Sequence, residues 1–151
     1  MKTRAITNHI SIGGQPDEND IQSLQEKGFR TIVNLRTEDD EGFRASEEHE
    51  VESKGLNYAA IPVSPALLDD LAVQRFAGAL SSDDAPPAYV HCGSGGRAGL
   101  LTLLHLAVQN GWTLQETLET GKELDIAPSE TSPYRAFFDD YIRRHSAGER
   151  V

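Results

Sequence analysis

The chain has 151 residues, 38% hydrophobic, 7% aromatic and 25% charged, the make-up of one ordinary globular domain of roughly 100–200 residues, and this excludes a disordered tail protein. Lys and Arg number 14 against 24 Asp and Glu, a formal net charge of −10. A surface of that sign repels phosphate backbones and anionic headgroups, so neither nucleic acid nor a membrane is an expected partner.

Hydrophobic periodicity alternates short strands with helices, the pattern of an α/β domain with a mainly parallel central sheet flanked by helices. Ile6 to Ile12 reads as an edge strand ending at Gly13-Gly14. Pro16-Asp17 opens a helix with Ile21 and Leu24 on one face and a stop at Gly28. Phe29 to Leu35 is a strand, Arg36 to Gly42 an acidic turn, and Phe43 to Lys54 a solvated helix closed by Gly55. Leu56 to Ile61 is a third strand. Pro62 and Pro65 mark a loop before a helix carrying Leu68, Leu71, Ala72, Phe76, Ala79 and Leu80 and ending near Ser81. After a turn over Asp83 to Pro87, the strand Ala88 to His91 enters a glycine-rich run, and Ala98 to Asn110 follows as a Leu-rich buried helix stopped by Gly111. Leu114 to Leu124 is helical, and Ser132-Pro133 starts a last helix bearing Phe137, Phe138, Tyr141 and Ile142. No linker or repeat divides the chain, so a single domain over 1–151 is expected.

Cys92 is the only cysteine, which excludes an internal disulfide and a Cys-rich zinc cluster, and the five histidines lack metal-ligand spacing. No metal and no cofactor are expected. The longest apolar stretch, Gly99 to Val108, is broken by Thr102 and His105 and is about half of the ~20 residues that cross a bilayer. The first residues lack the apolar centre of a secretory signal. A cytoplasmic location is the expectation.

The segment with chemical content is His91-Cys92-Gly93-Ser94-Gly95-Gly96-Arg97, where a strand runs through a glycine-rich turn into a helix. Gly93, Gly95 and Gly96 let successive backbone N–H groups point inward, and the helix adds the positive end of its dipole, so the turn is suited to an oxyanion. Cys92 at its lip, beside Arg97, is in a field that favours thiolate over thiol. Arg97 offers a fork of donors for two oxygens of a phosphate-like group. The plainer alternative is a buried structural thiol beside a tight turn.

His91-Cys92, the Gly/Ser loop and Arg97 resemble the signature of the cysteine-dependent tyrosine and dual-specificity phosphatases. Together with Ser11-Ile12-Gly13-Gly14-Gln15-Pro16, Gly28 to Arg36 and Ile61-Pro62-Val63, they are similar to a bacterial family of phosphatase-like domains, the phosphatase-like part of the β-lactamase-hydrolase-like proteins. The similarity spans nearly the whole chain. It implies a dual-specificity-phosphatase-like fold, with Cys92 as nucleophile and Arg97 as the anion-binding residue.

Three features depart from the phosphatase pattern. Four residues separate Cys92 from Arg97 where those phosphatases have five, and four is the spacing of rhodanese-like sulfurtransferase loops. Ala98 stands where a Ser or Thr assists the thiolate as leaving group. Pro62-Val63-Ser64-Pro65 holds no carboxylate where an acid is expected, which leaves Asp69 and Asp70 as candidates, although both suit a helix start. His91 suits bracing of the loop better than proton transfer. Arg36 follows a strand end, where it either faces the same crevice as that loop or, the plainer reading, joins a surface salt bridge among Glu38, Asp39 and Asp40, and Glu47, Glu48, Glu50 and Glu52 read as a solvated helix face.

The residues therefore leave three readings. The first is a cysteine phosphatase acting through a phosphocysteine, with a small phosphorylated molecule or a phosphoprotein as partner. The second is a sulfurtransferase that forms a persulfide on Cys92 and takes a sulfur-carrying substrate. The third is an anion-binding module without turnover.

Overall fold

The computed structural model describes residues 3–146. Five strands form its sheet: β1 (Thr3–Ala5), β2 (Ile10–Gly13), β3 (Thr31–Asn34), β4 (Asn57–Ala60) and β5 (Ala88–His91), in the order β1-β2-β5-β3-β4. All neighbours are parallel except β1, which pairs antiparallel with β2. The expected single edge strand from Ile6 to Ile12 is instead a hairpin, because Thr7 Oγ1 accepts from the N–H groups of His9 and Ile10 and turns the chain back.

β3 and β5 are buried at every position because helices cover both faces of the sheet. Alternation along each strand then splits the core in two. Ile32 and Tyr89 pack with Ile21, Leu24, Val51 and Leu56 under α1 (Glu18–Glu26) and α2 (Glu47–Ser53). Val33 and Val90 face the larger cluster around α4 (Gly96–Asn110), which α3 (Asp70–Leu80), α5 (Leu114–Glu123) and α6 (Arg135–His145) enclose.

Several boundaries differ from the sequence reading. α2 starts at Glu47 and not at Phe43, because residues 43–46 are spent in turns. Leu71 lies on the exposed side of α3, whereas Leu68 is buried in the loop before it. α4 begins at Gly96, so Arg97 is in its first turn. It ends at Gly111, whose left-handed φ of 65° lets its N–H return to Ala107 and Val108.

The sheet register brings the site together. Gly13, His91 and Asn34 are level at the C-terminal ends of β2, β5 and β3. The chain leaves all three strands on one edge, the position where open α/β sheets bind ligands. The loop after α5 reaches that edge by packing on two glycines. A Cβ on Gly99 would lie 2.8 Å from Ile126 Cγ2, and one on Gly121 would lie 2.9 Å from Ala127 Cβ.

Gly78 of α3 has open space around it, so Gly78→Ala is expected to stabilise the fold by about 0.4–1 kcal/mol, since alanine costs less chain entropy in a helix. Gly99→Ala is expected to destabilise it by about 1–3 kcal/mol through overpacking against Ile126. Urea unfolding of the two variants checks the pair, and equal shifts in the same direction would refute the packing assignment.

Candidate active site

Residues 92–97 close a turn on the C-terminal end of β5. Cys92 is 1% exposed, and its Sγ accepts a hydrogen bond from the Gly95 N–H at 3.0 Å. Gly95 has φ of 101°, a left-handed value that only glycine adopts at low cost, and it is the N-cap residue immediately before α4. Gly14 lets the neighbouring β2 exit lie against the turn, because a Cβ there would meet the Gly93 carbonyl at 3.1 Å. Gly93, Ser94 and Gly96 are exposed. The sulfur is thus at the base of the turn, held by a backbone donor that a thiolate accepts well, with its outer residues facing solvent.

Arg97 is gripped from its far end. Nη1 donates to the Val63 carbonyl at 2.9 Å and to Asp40 Oδ1 at 3.4 Å, and Nη2 donates to Asp40 Oδ2. A guanidinium has five N–H donors, so this end-on pair leaves Nε–H and the second Nη2 hydrogen, which carry no partner among the described residues. They form the lateral fork that matches two oxygens of a phosphate-like group. A Cβ on Gly93 would be 3.8 Å from Nη2, which places that end of the guanidinium over the turn. The hydrogen bond from Arg97, aided by the Thr37 hydroxyl, holds the Asp40 carboxyl well below the usual carboxylate range. Asp40 is therefore ionised near neutrality and serves as an anchor, not as a proton donor.

His91 braces the turn from below. Its Nε2 is 2.6 Å from Glu47 Oε2 and its Nδ1 is 3.4 Å from the Cys92 carbonyl, with both side chains fully buried. Glu47, which its acidic run marks as part of a solvated face, is thus corrected to a core residue. α2 has only two turns, and its first residue points under the sheet edge. Arg36 pairs with Asp40 as expected, but with Arg36 buried and Asp40 half-buried, and not on the surface. It is 7% exposed and reaches Asp40, Gln15 and the carbonyls of Glu41 and Gly42 from inside the acidic loop.

Asp69 and Asp70 do not join the turn. The Asp69 carboxylate caps α3 by accepting from the Ala72 N–H at 2.9 Å. Both Asp70 oxygens are held by Arg144 at 2.8 Å. Neither lines the cleft of about 1110 Å³ that opens over residues 93–97. The opposite wall is the segment after α5, with Asp125, Ile126, Ala127, Pro128 and Tyr134. Burial pushes the Tyr134 phenol up, so it is a neutral hydroxyl. Asp40, Gln15 and Glu47 are the site residues that sequence reasoning missed. A signal existed only for Asp40, in the acidic loop that follows a strand end beside β5.

A mostly parallel sheet with a Cys-to-Arg turn at the end of its central strand, followed by a buried helix, defines a dual-specificity-phosphatase-like domain, the class of a phosphatase-type hydrolase. Residues 2–131 match the family described as "DSP-PTPase phosphatase fused to NAD+ Kinase", and the chain belongs to that family. Among curated proteins it is 28% identical over 125 residues to a β-lactamase hydrolase-like protein of Agrobacterium fabrum, covering 81% of this chain and 29% of that protein. It is 30% identical over 107 residues to one of Xylella fastidiosa, covering 69% and 25%. The matched segment thus spans little more than a quarter of these relatives.

Solved structures share the fold. A DUF442 protein of Shewanella putrefaciens CN-32 superposes with a TM-score of 0.79 at 19% identity, covering 95% of this chain and 93% of that one. The catalytic core of the yeast (S. cerevisiae) PP-IP phosphatase Siw14, in complex with citrate, gives 0.69 at 16% identity over 97% and 86%. The C132S form of TpbA from P. aeruginosa, in complex with pTyr, gives 0.67 at 17% identity over 96% and 84%. Nothing in these matches favours sulfur transfer.

Asp40 is more acidic when folded than when unfolded, so its pairing stabilises the fold above the ordinary carboxylate range, and that contribution is lost as pH falls below it. The stability gap between wild type and Asp40→Asn is therefore expected to be constant above about pH 5 and to close on acidification. Chemical denaturation from neutral to acid pH measures it. A gap independent of pH would contradict the pairing.

Proposed function

We propose that the domain is a cysteine-dependent phosphatase that cleaves phosphoesters through a phosphocysteine. The observation that carries this reading is the lateral fork of Arg97, without a partner among the described residues and held over the turn by Asp40 while Gly95 N–H addresses the Cys92 sulfur. Two phosphoryl oxygens would be bound by that fork, and the remaining charge by the turn's N–H groups and the start of α4. The Cys92 thiolate attacks phosphorus, an S–P bond forms, and the ester P–O bond breaks with its electron pair on the leaving oxygen. Water then attacks phosphorus, the S–P bond breaks, and inorganic phosphate leaves with the thiolate restored.

None of Asp40, Asp69 and Asp70 protonates the leaving oxygen, because Asp69 and Asp70 are engaged on α3 and Asp40 is ionised, and Asp125 lies on the opposite wall of the cleft. General acid catalysis contributes about 10²–10⁴-fold. The chemistry therefore favours phosphates with acidic leaving groups, such as aryl phosphates, over alkyl esters. The cleft wall of Ile126, Pro128 and Tyr134 offers apolar surface for a ring. The net charge of −10 opposes a polyanionic substrate. The pTyr-bound neighbour supports an aryl phosphate, free or on a protein, as substrate. Neither nucleic acid nor a membrane surface enters this reading. No helix among the described residues is long and apolar enough to cross a membrane. A lone thiolate nucleophile works in a reducing compartment, which supports a cytoplasmic setting.

The rate on a chromogenic aryl phosphate tests the reading. Cys92→Ser is expected to abolish turnover, and Arg97→Lys, which keeps the charge but loses the fork, to lower kcat/KM by about 10²–10³-fold. Turnover that survives Cys92→Ser would overturn the proposal.

A further inference from the structure

Two separate groups support the turn: Glu47 holds His91 from beneath, and Asp40 holds Arg97 from outside. One side chain lies between them. Gln15, in the loop after β2, donates from Nε2 to Glu47 Oε1, and its Oε1 accepts from Arg36 Nη1 at 2.8 Å. Arg36 continues through Nε to Asp40 Oδ2 at 3.4 Å. The result is an unbroken arc from His91 through Glu47, Gln15, Arg36 and Asp40 to Arg97.

The amide orientation is determined by its partners. Nε2 also donates to the Pro16 carbonyl at 2.9 Å, so a flipped amide would set an acceptor against two acceptors and a donor against a guanidinium. Glu47 is fully buried and needs a donor on each oxygen. His91 supplies one and Gln15 the other. On its other side Gln15 accepts from a buried guanidinium that in turn shares the carboxylate holding Arg97. A neutral amide is what this position requires, since it faces an anion on one side and a cation on the other.

We propose that Gln15 is a positioning residue that couples the nucleophile's end of the turn to the anion-holding arginine. Loss of the bridge leaves Glu47 and Arg36 each short of a partner, and the two halves of the site then move independently. The proposal rests on the reading of residues 92–97 as an anion site with Cys92 at its base, but it requires no turnover.

The test is alkylation of Cys92 by iodoacetamide in the full chain at fixed pH, with inorganic phosphate as protecting ligand. It is run on wild type, Gln15→Met, Asp40→Asn and the double variant. In the wild-type background, Asp40→Asn is expected to raise the phosphate concentration for half-protection about tenfold, and in the Gln15→Met background by less than about threefold, the mark of coupled partners. Gln15→Met alone is expected to change both the alkylation rate without phosphate and the half-protection point. Gln15→Asn, which keeps the amide but is one methylene short of spanning both partners, replaces Gln15→Met if that variant does not fold. An equal Asp40→Asn effect in both backgrounds would overturn the proposal, as would a folded Gln15 variant with wild-type alkylation and protection. Aryl phosphate hydrolysis by the same proteins keeps the two readings apart. Coupling without hydrolysis would remove the phosphatase and retain the bridge, whereas hydrolysis without coupling would do the reverse.

Discussion

Asp40 and Arg97 form the contact on which the rest of the site depends. An arginine is useful to a doubly charged oxyanion only if its lateral fork is presented in one orientation, and a long side chain at a helix start does not hold such an orientation unaided. The carboxylate grips the end of the guanidinium and the Val63 carbonyl fixes it further, so the remaining donors are directed without competition from the described residues. The same contact keeps Asp40 ionised. A group that stabilises the arginine in this way cannot also serve as the acid for the leaving oxygen in the proposed reaction.

The sheet explains why such distant residues meet. Strand β5 is third in an order that places β2 and β3 on either side of it, and the register makes Gly13, His91 and Asn34 level. The loops after β2 and β3 then leave at the same edge as Cys92. One of these loops brings Gln15. The other brings Arg36 and Asp40, and the chain beyond it starts α2 with Glu47. Parallel connectivity thus assembles a support for the turn from segments that are far apart in the chain. Buried and partly buried polar groups are tolerated there because each has donors or acceptors on several sides.

Sequence reading recovered the parts of the molecule whose cause is local. The glycines of residues 93–96, the stop at Gly111 and the apolar period of α4 each follow from chemistry within a few positions, and they marked the turn, Cys92 and Arg97. It failed where the cause lies across space. Glu47 sits in a run of acidic residues of which Glu48 and Glu52 are exposed and Glu50 is half-buried against Arg44 and Ser46, and only the arrival of His91 beneath it makes Glu47 a core residue. Arg36 and Asp40 do pair with each other, as four-residue spacing allows, but their burial and their reach to Gln15 and Arg97 depend on strand order. Asp69 and Asp70 show the opposite case. Their position next to a helix start was a sufficient explanation for them, and the helix cap and the Arg144 pair are where they are found.

The central claim is that the sulfur at the base of the turn accepts a phosphoryl group while Arg97 holds its oxygens. Acid quenching of the wild-type protein during turnover of an aryl phosphate, followed by mass spectrometry of the peptide that contains Cys92, tests it directly. A phosphoryl adduct on Cys92 that disappears when the substrate is exhausted is the expected result. Release of phosphate with Cys92 unmodified at every quench time, or a phosphoryl group on another residue, would contradict it.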